Sequence, residues 1–241
     1  MDRVLYLALG GVIMLFLTPL AHPLTKRLES LSRRMYGIKP ISIHIERDTS
    51  IVWAGHPNWI GAFIWLPSLP STTPPEHPTD WHSWAQRIGG TDASTTFLKV
   101  TITCRESASV VVSPPKIRRD SLPVGSPPKG VILVNPTGGA SVTPRRIKID
   151  LDMAYADWID EDGAPLPTLS LALEAGETEQ FYIFAHADVG RYEWHIELPV
   201  IVDGRREILR IDDDGKRFIT HGTAGLTEYL WRDDQWTRRG D

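Results

Sequence analysis

The sequence predicts a mainly β protein: an antiparallel, immunoglobulin-like β-sandwich that is preceded by one N-terminal transmembrane helix. Three observations support this prediction. Residues 4–21 carry no charge, several later segments alternate strictly between apolar and polar side chains, and short Asp-Gly turns connect neighbouring segments. Strands that alternate in this way and are joined by short turns, without intervening helices, favour a sandwich.

The uncharged run VLYLALGGVIMLFLTPLA predicts a membrane anchor over residues 1–24. At the helical rise its residues extend roughly 27 Å, close to the roughly 30 Å apolar thickness of a bilayer. A cleaved signal peptide fits less well, because Asp2 offsets part of the positive charge of Arg3 and Pro19-Leu20-Ala21 is a weak cleavage site. A buried helix of a soluble core is the weakest alternative, since such long uncharged runs usually span a membrane.

The charges that flank the run predict its orientation. One basic residue, Arg3, precedes it, whereas five follow: Lys26, Arg27, Arg33, Arg34 and Lys39. Because the basic flank tends to stay in the cytoplasm, we expect the large domain to be cytosolic. Residues 25–38 form either a basic juxtamembrane helix with an apolar stripe or a solvated stalk, and both alternatives remain open.

Composition limits the function classes. The chain has 241 residues and a net charge of −4, so residues 39–241 are enough for one large β domain, and a general nucleic-acid binder is not expected. Cys104 is the one cysteine, which excludes an intrachain disulfide and agrees with a reducing compartment.

Individual strands are predicted by alternation. The inward-facing residues are predicted to be Ile41, Ile43 and Ile45; Leu98, Val100, Ile102 and Cys104; Ile147, Ile149, Leu151 and Met153; Leu169, Leu171 and Leu173; Phe181, Ile183 and Ala185; and Tyr192, Trp194, Ile196 and Leu198. Asp203-Gly204 predicts a type I′ hairpin turn, and Asp214-Gly215 predicts a second turn.

Proline interrupts this pattern in several places. We expect a proline-rich loop at residues 66–80, another loop at 113–130 and a third at 163–167. The segment WHSWAQRIGG predicts a short helix that starts at Thr79 or Asp80 and ends at Gly89 or Gly90.

The segments WHSWAQRIGGTDAS, RYEWHIELPVIVDGR and RIDDDGKRF, in this order, resemble a group of actinobacterial membrane-anchored proteins of unknown function with a C-terminal β-sandwich domain. The resemblance covers residues 80–236 and implies no activity. Where that group has a pair of cysteines before the Trp of the RYEW strand, this chain has none in residues 190–193, so ligands for a metal or redox role are missing there.

Candidate chemical sites are few. His77 and His82 lack the further ligands of a metal site, and the sequence from Asp212 to Gly215 lacks the downstream glutamate of a calcium loop. His186 and His195 are expected on adjacent strands, where an acid–base pair is conceivable, but alternation favours a polar outer sheet face. We therefore predict no catalytic residue, no metal and no cofactor.

Tryptophan is the most promising residue type for binding, because nine copies occur and several lie near predicted loops. Trp59, Trp65, Trp81 and Trp84 are a possible binding surface, although most tryptophans in such a domain belong to its core. The leading hypothesis is a non-enzymatic interaction or sensory module that contacts the bilayer through its helix and an unknown protein partner. An extracytoplasmic cell-wall glycan-binding domain and an enzyme with a dispersed site are the alternatives.

Overall fold

The computed structural model describes residues 40–53, 62–77, 80–105, 108–122, 129–135, 146–160, 162–166 and 169–240. The predicted anchor at 1–24, the segment at 25–38 and Trp59 lie outside these residues. The described residues from position 43 onward belong to one compact unit. Among the described residues, no helix has the length and apolar character needed to cross a membrane.

The described elements are almost all strands, so the mainly β prediction is confirmed. The two short helices are α1 (Thr49–Val52) and α2 (Trp81–Arg87). The strands are β1 (Ile41–Glu46), β2 (Ala62–Leu66), β3 (Thr91–Ala93), β4 (Thr95–Cys104), β5 (Ala108–Val112), β6 (Lys116–Leu122), β7 (Val131–Asn135), β8 (Arg146–Asp150), β9 (Tyr155–Ile159), β10 (Pro165–Leu166), β11 (Leu169–Leu173), β12 (Thr178–His186), β13 (Arg191–Val202), β14 (Arg205–Ile211), β15 (Phe218–His221), β16 (Thr227–Arg232) and β17 (Gln235–Arg238).

One sheet contains six strands in the order β1-β4-β12-β8-β9-β10. Its centre is the long antiparallel pair β4–β12, in which Val100 lies opposite Phe181 and Leu98 opposite Ile183. All four of these side chains are fully buried, which confirms the predicted alternation. Met153 is an exception: β8 ends at Asp150, and Met153 lies in the following turn with 79% of its surface exposed.

The larger sheet is organised around β13. The first half of β13 pairs with β6 on one side and β15 on the other, whereas its second half pairs with β5 and β14. From β15 the sheet continues through β3, β2, β7 and β16 to β17. The twelve residues of β13 therefore connect two sets of partners, and the change of partner occurs on both of its edges.

Strand direction differs from the prediction, because both sheets are mixed. The pairs β8–β12, β3–β15 and β7–β16 are parallel, and each joins strands that are distant in the chain. A parallel pair needs a long connection, so local turn signals do not reveal it. The loop predicted at 113–130 is also wrong in part, because β6 occupies Lys116–Leu122.

Both predicted Asp-Gly turns are confirmed. Asp203 and Gly204 have φ values of 48° and 76° between the paired residues Val202 and Arg205, as a type I′ hairpin requires. Asp214 and Gly215 likewise have φ values of 50° and 84°.

The short helix α2 forms as predicted and packs on β2. Trp81, Trp84 and Ile88 lie in one apolar cluster with Ile64 of β2. Asp80 occupies the N-cap position without a side-chain hydrogen bond to the helix. Gly90 follows the helix, and a Cβ atom there would come within 2.5 Å of the Ile64 side chain, so the close approach to β2 requires glycine.

A buried hydrogen-bond chain connects the two sheets near the start of β13. The Trp194 indole donates to the Thr220 hydroxyl at 2.8 Å, Thr220 lies 2.7 Å from the Thr96 hydroxyl, and Thr96 donates to Asp92 at 2.8 Å. Since Thr96 gives its one proton to Asp92, the proton between the two hydroxyls belongs to Thr220. Arg47 completes the chain, because it pairs with both Asp92 and Asp213.

Next to this chain, His221 is buried in its neutral form. Its ring stacks on Trp65 with centroids 4.0 Å apart, and its Nε2 atom accepts a hydrogen bond from Arg191 Nε at 3.0 Å. Burial lowers the pKa of His221 to about 3, and the positive charge of Arg191 acts in the same direction.

Candidate functional site

A surface groove of about 760 Å³ lies where β13 changes partners. Three segments contribute its lining residues: Ser113 to Lys116 and Arg118 from the β5–β6 connection and β6, Glu197 and Pro199 to Ile201 from β13, and Arg206 to Ile208 from β14. Its volume is in the range of a small-molecule or peptide site.

Proline explains why the groove forms at this position. Ser113 donates its backbone N–H to the Pro199 carbonyl at 2.9 Å, as the last bond before the strands change. Pro114 and Pro115 follow and have no N–H to donate, so the ladder is interrupted until β6 begins at Lys116. Pro199 also has no N–H. It is tolerated in β13 because it faces the edge where β5 gives way to β6, and no ladder hydrogen bond from its nitrogen is required there.

An exposed apolar side chain forms one wall. Ile208 of β14 lies opposite Pro199 and is 63% exposed. In the described strands, Ile208 of β14 and Tyr155 of β9 are the exposed large apolar side chains, and Ile208 is the one that lines the groove.

Basic side chains surround this apolar part. The groove, β14 and Asp212, which directly follows β14, carry five basic residues against three acidic ones, which leaves two net positive charges in a chain whose overall charge is −4. The basic residues are Lys116, Arg118, Arg205, Arg206 and Arg210, and the acidic residues are Glu197, Glu207 and Asp212. Arg118 pairs with Glu197 at 2.9 Å and Arg210 with Asp212 at 2.6 Å. The hydrogen bond from Arg118 lowers the pKa of Glu197, which keeps this carboxylate charged.

His195 lies beside the groove on the same face of β13 as Glu197. It is 8% exposed, and its Nδ1 atom has no hydrogen-bond partner. Burial lowers the pKa of His195, and the charges of Arg210 and Arg217 lower it further. Because His195 stays neutral, it adds no positive charge to the groove at neutral pH.

The four tryptophans predicted as a binding surface do not lie in this groove. Trp81 and Trp84 of α2 are 4% and 6% exposed, and their ring centroids lie 5.0 Å apart. Trp65 is half-buried against His221, and its indole donates to the Lys129 carbonyl at 3.2 Å. The three described indoles therefore pack mainly against protein, and Trp59 is outside the described residues.

The candidate histidine chemistry is not assembled. His186 belongs to β12 in the six-stranded sheet and His195 to β13 in the other, so the expectation that they lie on adjacent strands is wrong. His186 contacts Thr95 and Asp188 at 3.1 and 3.0 Å. His77 is exposed, whereas His82 is buried and bonded to Gln86 at 3.0 Å.

Asp152 has the richest set of hydrogen bonds of the carboxylates near β13, and its role is structural. It accepts bonds from the Asp188 and Gly190 amides at 2.5 and 3.0 Å and from the Tyr192 hydroxyl at 2.7 Å. Desolvation raises the pKa of Asp152, but these bonds outweigh it and the pKa lies below its ordinary value. The carboxylate thus holds the β12–β13 turn. Within the described parts of the chain, no three metal-ligating side chains converge.

Sequence reasoning missed the groove because it depends on which strands are neighbours. The available signal was local: Ile208 lies between charged residues in the segment RREILRI, at a position that alternation assigns to the side opposite Leu209. No protein-family model, curated protein or solved structure matches this chain. The resemblance to the actinobacterial group therefore stays a prediction.

Proposed function

We propose that this protein is a non-enzymatic interaction module, and that the groove formed by β6, β13 and β14 is the surface that contacts a protein partner. The exposed Ile208, set among basic side chains in an acidic protein, is the observation that carries this proposal. Apolar patches that are rimmed by polar residues mark protein contact sites, and Ile208 lines one groove together with Pro114, Pro115, Pro199 and Ile201.

The buried titratable groups support a binding role over catalysis. His221 is stacked on Trp65 and bonded to Arg191, and Asp152 is bonded to three backbone or side-chain donors of the β12–β13 region. Both groups stabilise the fold, and neither lines the groove.

We further propose that residues 1–24 anchor the module in the cell membrane with the large domain in the cytosol, as the flanking charges predict. We also infer an immunoglobulin-like sandwich arrangement of the two sheets. The hydrogen bond between Thr96 of β4 and Thr220 of β15 supports the latter, because it joins one sheet to the other.

A co-purification experiment tests the contact surface. The tagged full chain is extracted from cells in mild detergent and compared with Ile208→Ser and with Met153→Ser. Met153 is the matched control, because it is 79% exposed but lies in the β8–β9 turn of the other sheet. We expect Ile208→Ser to lose a co-purifying protein that Met153→Ser retains; equal recovery by both variants would reject the groove as the contact surface.

Protease protection of a C-terminal tag tests the orientation. We expect the tag to be protected in intact cells and cleaved in inverted vesicles. Cleavage in intact cells would contradict a cytosolic domain and would favour the extracytoplasmic alternative.

A further inference from the structure

The free edge of β14 has the geometry of a strand-addition site. Within the described residues, β14 pairs with β13 on one side and with no strand on the other. We propose that the partner contributes an extended acidic segment that adds to this edge as an antiparallel strand. This inference rests on the proposed function, because β14 forms one wall of the groove.

The hairpin geometry identifies which backbone groups are free. Val202 and Arg205 flank the two-residue type I′ turn, so they are a hydrogen-bonded pair and Arg205 turns its N–H and C=O toward β13. Alternation then directs the N–H and C=O groups of Arg206, Ile208 and Arg210 away from β13.

The contacts of Pro199 agree with this assignment. Pro199 lies opposite Ile208, has no N–H, and accepts its hydrogen bond from Ser113 on the β5 side. Ile208 therefore exchanges no backbone hydrogen bond with Pro199. An added strand would satisfy these three donors and three acceptors of the edge, as in other cases of strand addition to an exposed sheet edge.

The side chains at the same positions specify the chemistry of the added strand. Arg206, Ile208 and Arg210 share the outer face of β14, where Ile208 is 63% exposed. In an antiparallel pair, directly opposite side chains are the ones that interact. Arg210 already pairs with Asp212 through Nε, and the other guanidinium nitrogens of Arg210 carry four further N–H donors for a second carboxylate. The complementary segment therefore carries acidic, apolar and acidic residues at alternate positions.

A second copy of this chain fits the edge less well. In the antiparallel register that pairs the whole strand around Ile208, Arg206 of one copy lies opposite Arg210 of the other. Like charges at directly opposite positions are destabilising. Charges on an edge strand also discourage aggregation, but that role does not need the apolar Ile208 between them.

The test uses the full chain in mild detergent and a fluorescein-labelled peptide, Thr-Glu-Thr-Val-Thr-Glu-Thr, in fluorescence anisotropy. The two Glu residues match Arg210 and Arg206, and the Val matches Ile208. We expect saturable binding that weakens at least tenfold when both Glu residues become Lys, and that is lost when the Val amide is N-methylated. These peptide controls leave the protein unchanged, so they do not depend on the folding of a variant.

A charge exchange provides the matched protein control. We expect Arg206→Glu/Arg210→Glu to weaken binding of the acidic peptide and to bind the Lys-containing peptide more tightly than the original protein does. Binding that is insensitive to N-methylation, or absence of binding by the acidic peptide up to 1 mM, would overturn the strand-addition inference. If Ile208→Ser still loses the co-purifying protein in that case, the proposed function stands and only this inference fails.

Discussion

The buried, neutral His221 is expected to make the folded protein less stable as the pH falls below neutrality. His221 is 6% exposed, and it accepts a hydrogen bond from Arg191 at the nitrogen that would have to take up the proton. Protonation would therefore place a charge in an apolar environment and against the charge of Arg191. The substitution His221→Gln keeps a planar polar group but removes the titrating nitrogen.

The magnitude follows from the difference between the folded pKa of about 3 and the ordinary value of 6.5. Because the folded pKa is lowered, the neutral ring contributes its full stability above pH 6.5, and this contribution is lost as the pH falls toward the folded pKa. Linkage converts the difference into a loss of about 2 kcal/mol of unfolding free energy between pH 7 and pH 5. His195 changes stability in the same direction, but it is present in both proteins and cancels in their comparison.

The assay is urea denaturation of the full chain in mild detergent, followed by far-UV circular dichroism at pH 7, 6 and 5. The original protein is predicted to lose about 2 kcal/mol more than His221→Gln over this range. Most carboxylates titrate below this window, so the difference isolates the histidine. Equal pH dependence of the two proteins would show that protonation of His221 does not cause the loss of stability.

Three further predictions concern the polar contacts and the close packing around β13. Thr220→Val leaves the buried Trp194 indole without its acceptor, and we expect it to lower the unfolding free energy by about 1–3 kcal/mol, whereas Thr101→Val on the outer face of β4 changes it far less in the same urea titration. Asp152→Asn is expected to lower the melting temperature at pH 7 and to reduce the acid-induced loss of stability, since the hydrogen-bonded carboxylate has a lowered pKa; an unchanged pH profile would show that the carboxylate is not the acid-sensitive group. Gly190→Ala places a Cβ atom 2.1 Å from the Tyr192 ring and is expected to cost about 1–3 kcal/mol, and a smaller effect in a Tyr192→Ala background would identify that ring as the cause.

Sequence alone predicted β4, β12 and β13, in which the predicted inward residues are buried. It also predicted β1, in which Ile41 is buried but Ile43 and Ile45 are half-buried. In β4, every second residue from Leu98 to Cys104 is buried, and the residues between them are half-buried. The buried face determines both the strand and its register. The turns at Asp203 and Asp214 were also predictable, because positive φ at both central positions restricts the residues that fit.

What sequence did not reveal depends on neighbours that are distant in the chain. β6 contains Lys116 to Leu122, a segment with four charged residues, and it becomes a strand because β13 offers it a partner. The same reason explains the parallel pairs, since strand direction within a sheet is set by long connections rather than by local turns.

The candidate site illustrates this limit further. The helical spacing of Trp81 and Trp84 correctly placed them on one face of α2, but it did not determine that β2 covers this face. Alternation places Ile208 on the side opposite the buried Leu209, but it does not specify that β14 is an edge strand or that this side of it stays uncovered.

Site-specific photocrosslinking in cells shows directly whether the β14 edge contacts a partner. A benzoylphenylalanine is placed at Ile208, and in a separate control at Met153, which is 79% exposed against 63% for Ile208. We expect illumination to yield one discrete adduct at position 208, which is absent at position 153 and is diminished by Arg206→Glu in the same chain. Absence of an adduct at position 208, or the same adducts at both positions, would contradict the assignment of this edge as the contact surface.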